Sequence, residues 1–167
     1  MKPSVEEAFE RYHQAVFDFA YRMTSSPNLA ADVTQDCFVA FTKQAERFDP
    51  SRSSVRTYLF AIATNLVRKR RRDEWRESQL DDECPVLDPT LSSEISVMVE
   101  GAVAMLPPLQ REALVLFEYE GLTLSEIARV AEVDIGSVKA RLHRARENLK
   151  RMLRPAANKE KAYGRAT

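Results

Sequence analysis

Apolar residues along this chain recur every three or four positions, and the two-residue alternation of a half-buried strand is hard to find. Phe9, Tyr12, Val16, Phe19, Ala20 and Met23 predict a helix over Val5 to Thr24. Ser25-Ser26-Pro27-Asn28 stops it and starts the next. Val33, Cys37, Phe38, Phe41, Ala45 and Phe48 carry that second helix to about Phe48. Cys37 lies one turn from both Val33 and Phe41, so a buried thiol is expected rather than a reactive one. Asp49 to Ser54, DPSRSS, is a turn-rich loop. A third helix, from Val55 to about Trp75, is apolar through Leu59, Ile62, Ala63 and Leu66, then abruptly basic in RKRRR, Arg68 to Arg72.

Residues 77–92 hold acids, two prolines, no basic residue and little periodicity, which is the composition of a linker. A second helical unit follows. SSEISVMVEGAVAML has a serine before an acid and then an apolar run, a capped helix start, and Pro107 and Pro108 end it. LQREALVLFEYEG is the next helix, with Gly121 in the position that terminates helices. In LTLSEIARVAEV, Thr123 with Glu126 fits a capping box, and Leu124, Ile127 and Val130 or Ala131 form the inner face. Glu132-Val133-Asp134 then turns the chain into a last, strongly basic helix. The pattern predicts an all-α protein of two small helical domains joined by a flexible acidic linker, the second with a helix-turn-helix. Their boundaries are 1–76, 77–92 for the linker and 93–154, with 155–167 a disordered tail.

Charge changes this picture more than composition does. The chain carries 25 Lys+Arg and 25 Asp+Glu, yet the charges are segregated. Residues 51–76 hold 8 basic and 2 acidic side chains, 77–100 hold 0 and 7, and 135–167 hold 10 and 2. Salt screens charge beyond about 8–10 Å, so a polyanion meets the local block and not the neutral total. Five successive cations in RKRRR repel one another, and a polyanionic partner accounts for them better than solvent does.

On a helical wheel of about 100° per residue, Val138, Leu142, Ala145, Leu149, Met152 and Leu153 fall on one side of the last helix. Lys139, Ala140, His143, Arg144 and Glu147 fall opposite, with Arg141 and Arg146 at the borders. That layout suits a helix in a DNA groove, outermost residues at base edges and border arginines on phosphates. Ala140 keeps the centre small, and its methyl can meet a thymine methyl. The bland alternative is a solvated amphipathic helix, but such faces mix charge signs in i,i+4 pairs and this one hardly does.

Little else carries chemistry. His143 has no ligand partners, His13 lies in an acidic amphipathic helix, and Cys84 sits in the linker with no role assigned. There is no HExxH, CxxC, G-x-S-x-G or glycine-rich phosphate loop, so no metal, cofactor, catalytic residue or small-molecule substrate is expected, and the protein reads as not an enzyme. No apolar run approaches the ~18 residues of a membrane span, and no secretory signal is visible, which makes a cytoplasmic location the plain expectation.

LPPLQREALVLFEYEGLTLSEIARVAEVDIGSVKARLHRARENLKRML closely resembles the C-terminal domain of bacterial sigma factors of the extracytoplasmic-function group. ADVTQDCFVAFTKQAERFDP and TYLFAIATNLVRKRRR resemble that group's N-terminal domain, and the likeness covers about nine tenths of the chain in order. The resemblance implies an alternative sigma factor that binds core RNA polymerase and directs it to promoters. The N-terminal domain would bind the polymerase clamp helices through Asp32, Gln35 and Asp36, and would recognise and open the −10 element. The C-terminal domain would bind the polymerase flap and read the −35 element, and the acidic linker would occupy the RNA exit path. Most of the group are held by an anti-sigma factor, which is the further partner implied.

For −10 opening, Ser53 and Ser54 in the loop offer short polar groups, and Phe48 and Tyr58 offer aromatic surface, though core packing is the alternative for both. Asn65 can pair with a base edge, and Arg68, Lys69, Arg70, Arg71 and Arg72 can track the strand. Trp75 stacks on DNA or covers the helix end, and the sequence leaves both open. For the −35 element the resemblance assigns base-edge roles to Lys139, Ala140, His143 and Arg144, and phosphate roles to Ser137, Arg141 and Arg146. Family members often carry Ser or Thr at the position of Ala140.

Two other readings compete. A helix-turn-helix regulator independent of polymerase explains residues 122–154 but not the basic N-terminal helix or DVTQD. A sigma mimic that titrates an anti-sigma factor has no need of the cations in the last helix.

Overall fold

The computed structural model describes residues 3–77 and 94–163, all helix or connecting turn. The linker, including Cys84, lies mostly outside them. Among the described residues seven α-helices run in order: α1 Val5–Thr24, α2 Pro27–Gln44, α3 Val55–Glu77, α4 Glu94–Met105, α5 Pro108–Leu114, α6 Leu124–Ala131 and α7 Ile135–Tyr163. A single π-helical turn, Val115–Tyr119, extends α5.

The helix starts follow from capping chemistry. Ser4 accepts from the Glu7 amide at the head of α1, and Glu6 and Glu7 place negative charge at its positive end. Ser25 ends α1 in the left-handed region at φ 55°, and Ser26 caps α2 by accepting from the Leu29 amide at 3.2 Å, with Pro27 in the first turn. Helix α2 stops at Gln44, four residues before the expected Phe48. The chain turns there because Phe48 is drawn inward edge-on to Phe41 and Tyr58, at 6.3 and 5.2 Å between ring centroids. Asp49 precedes Pro50, which also disfavours helix. Asp49 Oδ1 accepts from both the amide and the hydroxyl of Ser51, at 2.9 and 2.6 Å, and closes the loop.

The first unit packs α1, α2 and α3 around Phe19, Met23, Val33, Cys37, Phe41, Leu59 and Phe60, all at or below 1% exposure. The Cys37 thiol donates to the Leu59 carbonyl oxygen, and burial pushes its pKa up to about 12, so it is inert as expected. In the second unit α4, α5, α6 and α7 enclose Val103, Leu106, Val115, Leu116, Ile127, Val138 and Leu142. The predicted capping box is present, with the Thr123 hydroxyl and the Glu126 carboxylate each accepting from the other's amide. Gly121 has φ +68°, and Glu132 ends α6 at φ 58°. Helical backbone continues past Pro155 to Tyr163, and 164–167 lie outside the described residues.

The two units do not stand apart. Their cores run into one another as a single buried cluster, and α6 packs on α3 while α4 and α5 pack on α1. No helix among the described residues is long and apolar enough to cross a membrane.

Candidate nucleic-acid interface

The C-terminal site is built on the α6–turn–α7 element. Val138, Leu142 and Ala145 anchor α7 at 0–3% exposure, with Leu149 and Met152 packed behind them. That leaves Lys139, His143, Arg144 and Arg146 exposed and Ser137, Ala140 and Arg141 half-buried, so all seven predicted side chains border one surface of the helix. Asp134 Oδ1 accepts from the Ser137 amide at 2.7 Å and fixes where α7 begins. Bonds to Ser137 hold the Asp134 carboxyl below its usual range. Asn148 Nδ2 donates to Gln110 Oε1 at 2.6 Å and ties α7 to α5.

Arg146 bends along its own unit. Its guanidinium lies 3.2 Å from Glu118 Oε1 and over the Phe117 ring at 5.5 Å. Ser137, Ala140, Arg141 and Arg144 line one wall of an open groove whose other wall is Pro107 to Gln110. A groove with cations on one wall and apolar residues opposite admits a phosphate backbone along the cationic wall.

The N-terminal residues are less uniformly placed. Asn65, Lys69 and Arg72 are exposed on α3. Phe48 is 9% exposed and belongs to the aromatic cluster, so in this conformation it stacks on protein. Tyr58 joins the same cluster and donates through its hydroxyl to Gln44 Oε1. Ser54 caps α3, accepting from the Thr57 amide at 3.1 Å, and the Ser53 hydroxyl donates to the Ser54 carbonyl oxygen at 3.0 Å.

The basic run does not form one cationic face. Arg68 donates to Glu112 of the second unit twice, Nε at 3.0 Å and Nη2 at 2.6 Å. Arg70 reaches back to α2, 2.6 Å from Asp36 and 3.5 Å from Asp32. Arg71 donates to the Met23 carbonyl oxygen at 2.7 Å. Spacing along one helix cannot reveal partners that lie on three other segments.

The third group is compact. Asp32, Gln35 and Asp36 share one exposed face of α2, and Arg70 bridges the two carboxylates. Their side chains stay 56% and 46% exposed. An ion pair this wet contributes about 0–1 kcal/mol, so Arg70 orients the acids without removing them from a partner's reach.

Sequence reasoning missed the residues that join the two units. Arg111 donates to the carbonyl oxygens of Met23 at 3.0 Å, Leu106 at 2.9 Å and Ala104. Burial, with Arg71 nearby, lowers its pKa to about 10, which still leaves it charged at neutral pH. Arg22 lies over the Tyr119 ring at 4.2 Å. Burial pushes the Glu120 carboxyl up, and Arg22 and Arg56 from the first unit partly offset this. No cluster of three or more His, Cys, Asp or Glu that could hold a metal occurs among the described residues.

Two family profiles match the chain, Sigma-70 region 2 over residues 8–77 and Sigma-70, region 4 over residues 96–149. Similar proteins include the ECF RNA polymerase sigma factor SigE of Mycolicibacterium smegmatis, 31% identical over 89% of this chain. The chain spans 61% of that relative's length. The ECF RNA polymerase sigma factor SigW of Bacillus subtilis is 29% identical over 86% of this chain and 85% of its own. Among solved structures, the sigma factor RpoE in complex with the anti-sigma factor NepR from Bartonella quintana superposes with a TM-score of 0.78. That superposition covers 89% of this chain and 96% of the other at 25% identity. CnrH in complex with the cytosolic domain of CnrY gives a TM-score of 0.68, also at 25% identity, over 90% of this chain and 88% of the other.

Proposed function

Because the chain belongs to the sigma-70 family, in its extracytoplasmic-function group, we propose that it is an alternative sigma factor that binds core RNA polymerase and directs transcription from promoters with −35 and −10 elements. The observation that carries this reading is α7, anchored by a dry apolar face while Lys139, His143 and Arg144 stand in solvent, on a chain whose first unit presents a paired acidic face. One surface suits DNA and the other suits a basic protein partner. A regulator independent of polymerase would use only the first.

Residues 1–76 form the unit for polymerase clamp binding and the −10 element, and 93–154 the unit for the −35 element and the flap. Lys139, Ala140, His143 and Arg144 meet base edges, and Ser137, Arg141 and Arg146 meet phosphates. Asn65, Lys69 and Arg72 meet the opened −10 strand, joined by Ser53, Ser54, Tyr58, Arg68 and Arg71 when their present partners release them. Phe48 supports that site through Tyr58. An anti-sigma factor is a further protein partner. The protein works in the cytoplasm beside polymerase, catalyses no reaction and takes no cofactor.

Arg144→Ala tests the C-terminal assignment. Against a duplex selected by the protein from a random library, affinity drops by about 1–3 kcal/mol and specificity relaxes at one position, while affinity for core polymerase is unchanged. Loss of polymerase binding with DNA affinity intact would show that α7 serves the enzyme and not the promoter.

A further inference from the structure

We propose that Gln110, on α5 and outside the helix-turn-helix, is a further DNA contact. Its Nε2 donates to a backbone phosphate in the groove between α5 and α7, and Asn148 and Arg151 hold the amide in that sense. This rests on the reading of α7 as the −35 helix.

The polarity of the amide follows from three side chains in series. Arg141, Arg144, Asn148 and Arg151 fall at i, i+3, i+7 and i+10 and form one row along α7. A guanidinium has donors and no acceptor, so Arg151 Nη2 draws Asn148 Oδ1 toward itself. Asn148 Nδ2 is then turned the other way and donates to Gln110 Oε1 at 2.6 Å. With its oxygen taken, Gln110 has its Nε2 donors left to offer. Among the described residues Nε2 donates to no other group. Reversing either amide would set donor against donor or oxygen against oxygen. Gln110 and Asn148 are both half-buried, where such a mismatch is not relieved by free turning into water.

The free donors belong to the groove described above. Gln110 stands on its α5 wall, opposite Arg141 and Arg144 on α7. A phosphate that enters meets cations on one side and a neutral donor on the other. Glutamine is a common phosphate partner, and such contacts fix the register of a protein on the duplex. A neutral group completes this cradle without setting a third cation against the two arginines. Held from both walls, the backbone cannot slide sideways across α7. Gln110 would therefore help to decide which bases Lys139, Ala140 and His143 meet. Its partner Asn148 lies 38 positions away, so spacing along α5 gives no sign of this role.

Full-length wild-type and variant proteins are titrated by fluorescence anisotropy against the duplex that wild type selects from a random library, over a series of chloride concentrations. Gln110→Ala is expected to lower affinity by about tenfold. The salt slope stays unchanged, because a neutral donor releases no counterion. Gln110→Lys recovers the affinity at low salt and steepens the slope by about 0.9, the counterion of one phosphate. Lysine cannot accept from Asn148, so a Gln110 that merely tied α5 to α7 would not be rescued this way. Asn148→Asp offers oxygens to both neighbours, which turns Nε2 of Gln110 inward and its oxygen toward the phosphate. It lowers affinity in wild type and much less in the Gln110→Ala background. Unchanged affinity in Gln110→Ala overturns the proposal, and so does a loss that Gln110→Lys neither recovers nor steepens. Equal losses from Asn148→Asp in both backgrounds overturn the part given to Asn148. Arg141→Ala checks the underlying reading separately. It lowers affinity and flattens the slope if α7 lies against phosphates, and changes neither if it does not.

Discussion

Phe19→Ala is expected to lower stability by about 3–5 kcal/mol, a large share of what a domain of this kind possesses. Phe19 has 0% exposure and lies edge-on to Phe60 of α3 at 5.6 Å. It therefore joins α1 to the helix that carries Asn65, Arg68, Lys69 and Arg72. Truncating it leaves a void that rigid helices fill only in part. Urea denaturation followed by far-ultraviolet circular dichroism would show the midpoint fall with little change in slope. The effect should spread, because Met23, one turn beyond Phe19, supplies the carbonyl that Arg71 and Arg111 share. A loss under 1 kcal/mol would mean that Phe19 is not at the centre of the first unit.

The second large effect is on function. Asp32→Arg with Asp36→Arg should reduce polymerase-dependent transcription by roughly a hundredfold or more, since like charges facing each other across an interface cost several kcal/mol. The substitution also sets two arginines beside Arg70, which now bridges both carboxylates. Restoring complementarity within the chain by adding Arg70→Glu should recover folding but not transcription. Binding of α7 to a −35 duplex should be unchanged in every version, because that helix belongs to the other unit. Full activity of the doubly reversed protein would remove α2 from the polymerase interface.

Much of this architecture is legible in the sequence because it is decided within a turn of helix. Ser26 with Pro27, Thr123 with Glu126 and Gly121 each satisfy amides and carbonyls that neighbouring residues leave open. The apolar face of α7 follows from spacing alone, and the structure buries Val138, Leu142 and Ala145 as that spacing requires. The end of α2 is not legible in the sequence, because Phe48 continues the helical period and is indeed buried, but from a turn and not from a helix. The π turn at Val115–Tyr119 leaves no mark in composition, since one i→i+5 bond needs no particular residue.

The greatest gap concerns the contact between the units. Arg68 and Glu112 are 44 positions apart, and Arg111 and Met23 are 88 apart. Helical periodicity reports only which face of a helix is dry, never what covers it. RKRRR read as one cationic strip, and instead its members diverge to α5, to α2 and to the end of α1. The residues proposed to meet DNA include Arg68 and Arg71, which here join the two units or tie α3 to the end of α1, and their order along the chain does not show which contact each makes.

The most direct measurement is transcription in vitro from sigma-free core RNA polymerase, with purified protein added to a library of fragments from the source genome and the RNA starts sequenced. The account predicts discrete starts that share two spaced upstream elements and vanish with Asp32→Arg and Asp36→Arg. An absence of starts, where a control sigma factor produces them from the same polymerase, would contradict it.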